Sequence, residues 1–270
     1  MPRLRRPDGV ELHWEEHGEG PLVVLAQPWA GYPEVFADLL DELGSDHRVV
    51  TYYPRGQGGS TRRGPYDPET DTADLEALIE AAGGPGVVIA MADASNRAAR
   101  VAARRPDLVR AVVLPGGVPL SRRVLEGTDS LASPAVLEAL AQQFWSDYRG
   151  ALRTVTASNN PQMSEDELRE RVARTVDACP QDSSVPRFEA WIADDPEEEA
   201  AAAGDRLWIL LTGDNPFFPL ELVPRVRELL PRTHVEEVAD GPLSRPDIAA
   251  TVVRRLTRAQ TGSARSERQR

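Results

Sequence analysis

Two kinds of apolar pattern alternate along the first part of this chain. Short, nearly continuous runs, Leu22–Ala26, Arg48–Tyr53 and Val87–Met91, have the character of strands covered on both faces of a sheet. Between them apolar residues recur at helical spacing. In Pro33–Leu43 these are Val35, Phe36, Leu39, Leu40 and Leu43, with Gly44 as a stop. Thr70–Ala82 is amphipathic and ends in Gly83-Gly84-Pro85-Gly86, and Ser95–Arg105 is a helix stopped at Pro106. Val10–His17 and Ala111–Leu114 add strands, with Gly18-Glu19-Gly20-Pro21 as a turn. Strands alternating with helices imply crossover units, an α/β class and a mostly parallel sheet flanked by helices.

From Pro119 to Gly204 the alternation stops. The predicted elements there are helical and rich in aromatics: Val136–Tyr148, Ser164–Ala178 and Pro186–Ala203. It resumes with strand Leu207–Leu211, helix Pro219–Leu230, strand His234–Val238 and a helix from Arg245 to about Arg258. The expected organisation is one sheet in two parts, residues 1–118 and 205–258, interrupted by a helical cap at 119–204. The polar tail, 259–270, is expected to be disordered.

Composition narrows the function classes. At 270 residues and 41% apolar content the chain can bury one substantial core. Its net charge of −12 speaks against a nucleic-acid partner, since phosphate binding needs clustered cations. The basic residues are all arginine, a compositional bias without functional content. The single cysteine, Cys179, has no internal disulfide partner and suits a reducing cytoplasm. Met1–Arg6 lacks a following apolar segment, so it does not read as a signal peptide, and no apolar run matches a bilayer span. The expectation is a cytoplasmic monomer or homodimer acting on a small molecule, with no membrane partner.

Several motifs resemble the α/β-hydrolase superfamily, in particular its capped, epoxide-hydrolase and haloalkane-dehalogenase-like branch. They are Tyr53-Pro54-Arg55-Gly56-Gln57-Gly58-Gly59-Ser60, the strand-turn-helix run Val87–Pro106, and the corner Arg104-Arg105-Pro106-Asp107-Leu108-Val109. The resemblance spans residues 8 to 258 and implies an α/β-hydrolase fold with an inserted helical cap. It also implies a nucleophile on a tight turn between small residues. Here that turn reads Ala90-Met91-Ala92-Asp93-Ala94-Ser95-Asn96. Two registers are open: Ala92 at the apex between small neighbours, or Asp93, whose carboxylate is the more reactive. The loop that carries the family's histidine reads Asp240-Gly241-Pro242-Leu243-Ser244, so the Ser-His-acid triad is not retained. The family's acid position falls on Asp214 or Asn215. Gln27-Pro28 stands where the resemblance implies His-Gly, and Pro28 has no N–H to donate to an oxyanion.

Without an imidazole neither a serine nor an aspartyl ester would turn over. The candidate catalytic groups are therefore Asp93 and Asp240, as acid or base. Gln27, Trp29, Ala92, Ser95, Asn96, Trp145, Tyr148 and Trp191 are candidate substrate contacts. Each has a plainer reading: Asp93, Ser95 and Asn96 as caps of the following helix, the aromatics as packing between cap and core, and Asp240 as a turn residue. The acidic run Asp194–Glu199 suits a helix N-terminus, and neither a metal nor a cofactor is expected. The functional expectation is a non-hydrolytic enzyme of natural-product metabolism. It would act on a small, largely apolar molecule by cyclisation, isomerisation or lyase chemistry. The alternatives are an inactive ligand-binding pseudoenzyme and a hydrolase with Asp93 as nucleophile.

Overall fold

The computed structural model describes residues 2–119, 122–125, 127–128, 130–213, 215, 217–238 and 246–267. Its strands are β1 (Arg3–Arg5), β2 (Glu11–His17), β3 (Leu22–Ala26), β4 (Arg48–Tyr52), β5 (Gly86–Ala90), β6 (Val109–Pro115), β7 (Leu207–Thr212) and β8 (His234–Val238). They form one sheet in the order β1-β2-β4-β3-β5-β6-β7-β8. The first two pairings, β1 with β2 and β2 with β4, are antiparallel, and all later ones are parallel.

Every residue of β3 and β5 is buried, because both faces of the sheet are covered. The two-residue strand period divides their side chains between two apolar layers. Val24, Ala26, Val88 and Ala90 meet helices α2 (Pro68–Ala81) and α3 (Ala94–Arg104). Val23, Leu25, Val87 and Ile89 meet α1 (Ala37–Gly44) and α11 (Pro246–Glu267). Asp67 caps α2 by accepting from the Thr70 N–H at 2.8 Å, with Pro68 at the first helical position.

Between β6 and β7 the described chain is helical: α4 (Arg122–Leu125), α5 (Pro134–Ser146), α6 (Tyr148–Asn159), α7 (Glu165–Ala178), α8 (Gln181–Ile192) and α9 (Glu197–Ala203). The helical stretch expected over Pro186–Ala203 is two helices, the second with the acidic run in its first turn. Pro186 sits inside α8, and the Asp194-Asp195-Pro196 segment separates α8 from α9. Ser164 opens α7 with a reciprocal capping box to Glu167. α10 (Val223–Leu229) precedes β8. The last helix runs to Glu267, past the Arg258 end expected for it. An existing helix extends at little cost, so it carries through Thr261, Gly262 and Ser263 although these are poor helix formers. No helix of the described residues is long and apolar enough to cross a membrane.

The Gly-rich loop after β4 is a seat for the helices of the 119–204 segment. Gly58 N–H donates to the Ala178 carbonyl at 2.7 Å, and Ser183 Oγ donates to the Gly56 carbonyl at 2.7 Å. Arg187 donates to the Arg55 carbonyl at 2.6 Å. Gly56 has φ +82°, and a Cβ there would lie 2.6 Å from that of Ser183. Glycine is required on both counts.

Candidate active site

The turn from β5 into α3 settles the register left open by the sequence. Ala92 has φ +47°, the left-handed conformation that marks the apex, and Asp93 follows in helical geometry at φ −56°. Ala92 therefore stands at the apex and offers only a methyl group.

Asp93 does not cap α3 through its side chain. Its carboxylate spans outward: Oδ1 accepts from the Trp29 backbone N–H, and Oδ2 accepts from Arg97 Nη1 at 2.7 Å. Arg97 also donates to the Gln27 carbonyl. Both side chains of the ion pair are nearly fully buried, at 4% and 3% exposure. The loop after β3 thus does present a backbone donor toward the elbow, Trp29 rather than Pro28, and Asp93 occupies it.

A second set of charges extends along α3. Arg100 grips Asp194 with two donors, at 2.7 and 2.5 Å, and reaches Glu199 at 3.1 Å. Asn96 Nδ2 donates to Asp194 at 2.9 Å. Asp194 and Glu199 therefore do more than complement the dipole of α9; they fasten its approach to α3. From α8, Arg187 pairs with Asp71 and lies 5.7 Å from the Tyr66 ring centroid. Burial opposes the Arg100 charge, but the hydrogen bond and attraction of Asp194 outweigh it and raise its pKa.

These groups line a cavity of about 20 Å³, room for one water-sized occupant. Its walls are Asp71, Asp93, Asn96, Arg97, Arg100, Arg187, Trp191 and Asp194, and the partly buried Tyr66, Pro68 and Ala190 make its rim. This cavity is not a roomy apolar pocket. Aromatic rings fill the adjoining space: Trp29 lies 4.5 Å from Phe144 and 5.0 Å from Phe188, and Phe188 lies 5.5 Å from Trp191.

The sequence candidates separate accordingly. Trp29, Asp93, Asn96 and Trp191 converge on the cavity or its aromatic wall. Tyr148 joins that wall through Phe144 and donates to the Cys179 carbonyl at 2.6 Å, and burial pushes its pKa up. Gln27 is turned into the core, where Nε2 donates to Thr51 Oγ1 at 2.6 Å. Ser95 is fully buried with its hydroxyl unpartnered among the described residues. Trp145 is 48% exposed and donates to Glu189 at 2.8 Å, outside this cluster. Asn215 is a turn residue, donating to the Gly116 carbonyl and accepting from Phe217 and Phe218 N–H. His234 starts β8, at the amino end of the parallel strands, stacked on Trp208. Asp240, Asp214 and Ser244 lie outside the described residues.

Sequence reasoning missed Arg97, Arg100, Arg187 and Asp71. A signal existed for the first two. Asp93, Asn96, Arg97 and Arg100 recur at three- and four-residue spacing, one face of a helix that the topology buries.

The fold has clear counterparts among solved structures. The chain matches an esterase from Exiguobacterium antarcticum with a TM-score of 0.81 at 16% identity, covering 94% of this chain and 98% of that one. A bromoperoxidase from Bacillus anthracis matches with a TM-score of 0.75 at 21% identity, covering 90% and 92%. This chain has the α/β-hydrolase fold. Another structure with this likeness to the α/β-hydrolase-fold chain is a Bacillus megaterium epoxide hydrolase in complex with an inhibitor. Its TM-score is 0.75 at 14% identity, with coverage of 95% and 100%. No protein-family model matches the sequence. Among curated proteins, polyketide synthase ThaQ of Burkholderia thailandensis is 33% identical over 113 residues, or 41% of this chain. That stretch spans 5% of ThaQ. Among the described residues no group of three or more His, Cys, Asp or Glu is placed to hold a metal ion.

Proposed function

We propose that this chain is a non-hydrolytic α/β-hydrolase-fold protein of natural-product metabolism. Its site binds a small, largely apolar organic molecule and acts on it by shape, without a nucleophile. The observation that carries the reading is the double engagement of Asp93 by the Trp29 N–H and Arg97 beside a methyl at the apex. A carboxylate held from both oxygens is a poor nucleophile, and the donor that would stabilise an oxyanion is already satisfied. In this reading the triad is degenerate, and residues 119–204 act as the cap. Trp29, Tyr148 and Trp191 form ligand walls that part when α8 moves away from α2. Asp93 positions the loop and takes no part in bond making. Asp240 is the remaining acid-base candidate for a cyclisation or isomerisation by confinement. The local likeness to ThaQ supports a polyketide-type ligand.

The test is incubation with p-nitrophenyl acetate, styrene oxide and 1-bromobutane, read by product release and by intact mass. Neither hydrolysis above the buffer rate nor any covalent adduct is expected. An alkyl or acyl adduct on Asp93 would overturn the reading in favour of an aspartate-nucleophile hydrolase.

A further inference from the structure

Three side-chain donors on residues that line the cavity have no hydrogen-bond partner among the described residues: Trp191 Nε1, Arg97 Nε and Arg187 Nε. Their residues are at least nine-tenths buried, with exposures of 9%, 3% and 2%. An indole N–H and a guanidinium Nε–H can only donate. Buried donors of this kind cost free energy unless something accepts from them.

The acceptors already present are engaged elsewhere. Asp71 is bound by Arg187, Asp93 by Trp29 and Arg97, and Asp194 by Asn96 and Arg100. Among the described residues, the buried side-chain atoms of the lining that lack a partner are thus all donors. Charge adds a second constraint. Arg97, Arg100 and Arg187 are balanced by Asp71, Asp93 and Asp194, so an anion would enter as uncompensated buried charge. A volume of about 20 Å³ admits one second-row atom and little more.

From these constraints we infer that the cavity is a subsite for the neutral carbonyl oxygen of a ligand, with the Trp191 indole N–H as its anchor. The inference rests on the ligand-binding reading above and names the group by which that ligand is recognised. A ketone, ester or lactone oxygen accepts from these donors without bringing charge. A carboxylate brings charge that the site has no spare cation to match, and an alkyl group leaves the donors unsatisfied. Tyr66, Pro68 and Ala190 at the rim are where the rest of the ligand would pass toward solvent.

The experiment is a titration of the full chain, labelled with ¹⁵N at its tryptophan indoles, followed by the indole N–H resonances. The probes are δ-valerolactone, tetrahydropyran (the same ring without the exocyclic oxygen) and 5-hydroxypentanoate (the opened, anionic form). The W191F variant assigns the resonance. Should it fail to fold, triple-resonance assignment replaces it, since every titration uses the wild-type chain.

The lactone is expected to move the Trp191 indole N–H saturably, at least fivefold further than either other probe at equal concentration. A Trp191 resonance that ignores the lactone overturns the subsite. So does one that moves equally with tetrahydropyran, or further with hydroxypentanoate. If the lactone shifts Trp29 but not Trp191 and is recovered intact, the subsite fails while the non-hydrolytic reading stands. Appearance of hydroxypentanoate from the lactone above the buffer rate would instead defeat the non-hydrolytic reading.

Discussion

The backbone N–H of Trp29 donates to the side chain of Asp93, joining the loop after β3 to the first turn of α3. Arg97 completes the link by holding the other carboxylate oxygen and the Gln27 carbonyl. Two segments that could have enclosed a reacting group are stitched to one another instead.

Removing the carboxylate should therefore cost stability. Asp93→Ala leaves the Arg97 guanidinium buried without its charge partner and the Trp29 N–H without an acceptor. A loss of about 3–5 kcal/mol is expected in urea unfolding, from the usual effect of breaking a buried pair. Asp93→Asn, which keeps an acceptor oxygen, should cost less. A stability for Asp93→Ala within about 0.5 kcal/mol of wild type would show that the bridge contributes nothing.

Gly56 is the point where the loop after β4 touches α8. Gly56→Ala forces a side chain into positive φ and against Ser183, so a loss of about 2 kcal/mol is expected. The damage should concentrate at the seat of α8, giving faster amide exchange in α7 and α8 than in β3 or β5. Uniform acceleration across the sheet would contradict the assignment of Gly56 to that contact.

Cys179 is fully buried, and burial pushes its thiol pKa up to about 12. At pH 8 the group is a neutral thiol shielded from solvent, so maleimide labelling of the native chain should be negligible. Labelling should become complete in denaturing urea. Its rate in intermediate urea should follow the opening of α7 from the loop after β3, where Cys179 Sγ contacts the Gly31 carbonyl.

Asp46 gives a pH dependence of definite sign. Hydrogen bonding from Arg254 holds its carboxyl below the ordinary value of 3.8, with His47 assisting against the effect of burial. The folded pKa is the lower one, so this stabilisation is present above 3.8 and fades as pH falls through the folded value. Arg254→Met should lower the melting temperature at pH 7, and the gap should narrow below pH 3.8. Arg254 also pairs with Glu42. A gap that widens in acid would reverse the sign derived from these contacts.

The sheet was legible because its signals are local. Leu22–Ala26 is apolar without interruption, and its structure is a strand with those same limits. The α8–α9 break shows in the sequence only through the acidic run and Pro196, since alanine and glutamate after Pro196 continue a helical composition. β1 was missed because Arg3-Leu4-Arg5 is too short to show a period; pairing with Glu11–His13 creates it. The elbow residues were named correctly, but their partners were not. Asp93 meets Trp29 across 64 positions, and Arg187 meets Asp71 across 116. No periodicity encodes such pairs. What one-dimensional pattern did offer was the polar face of α3, and its meaning depended on knowing that this helix is buried.

The Asp93 bridge also bears on history. Suppose a serine were placed at position 92 by a single substitution. It would meet a Trp29 N–H already committed to Asp93, so no activity for selection to favour would follow. Removing Asp93 first strands the Arg97 charge in the interior, and removing Arg97 first strands the carboxylate. Each single step toward a hydrolytic elbow is either silent or unstable, so the bridge acts as an evolutionary ratchet. Chains that keep the bridge would be expected to diversify through the surrounding walls and not through gain of a nucleophile.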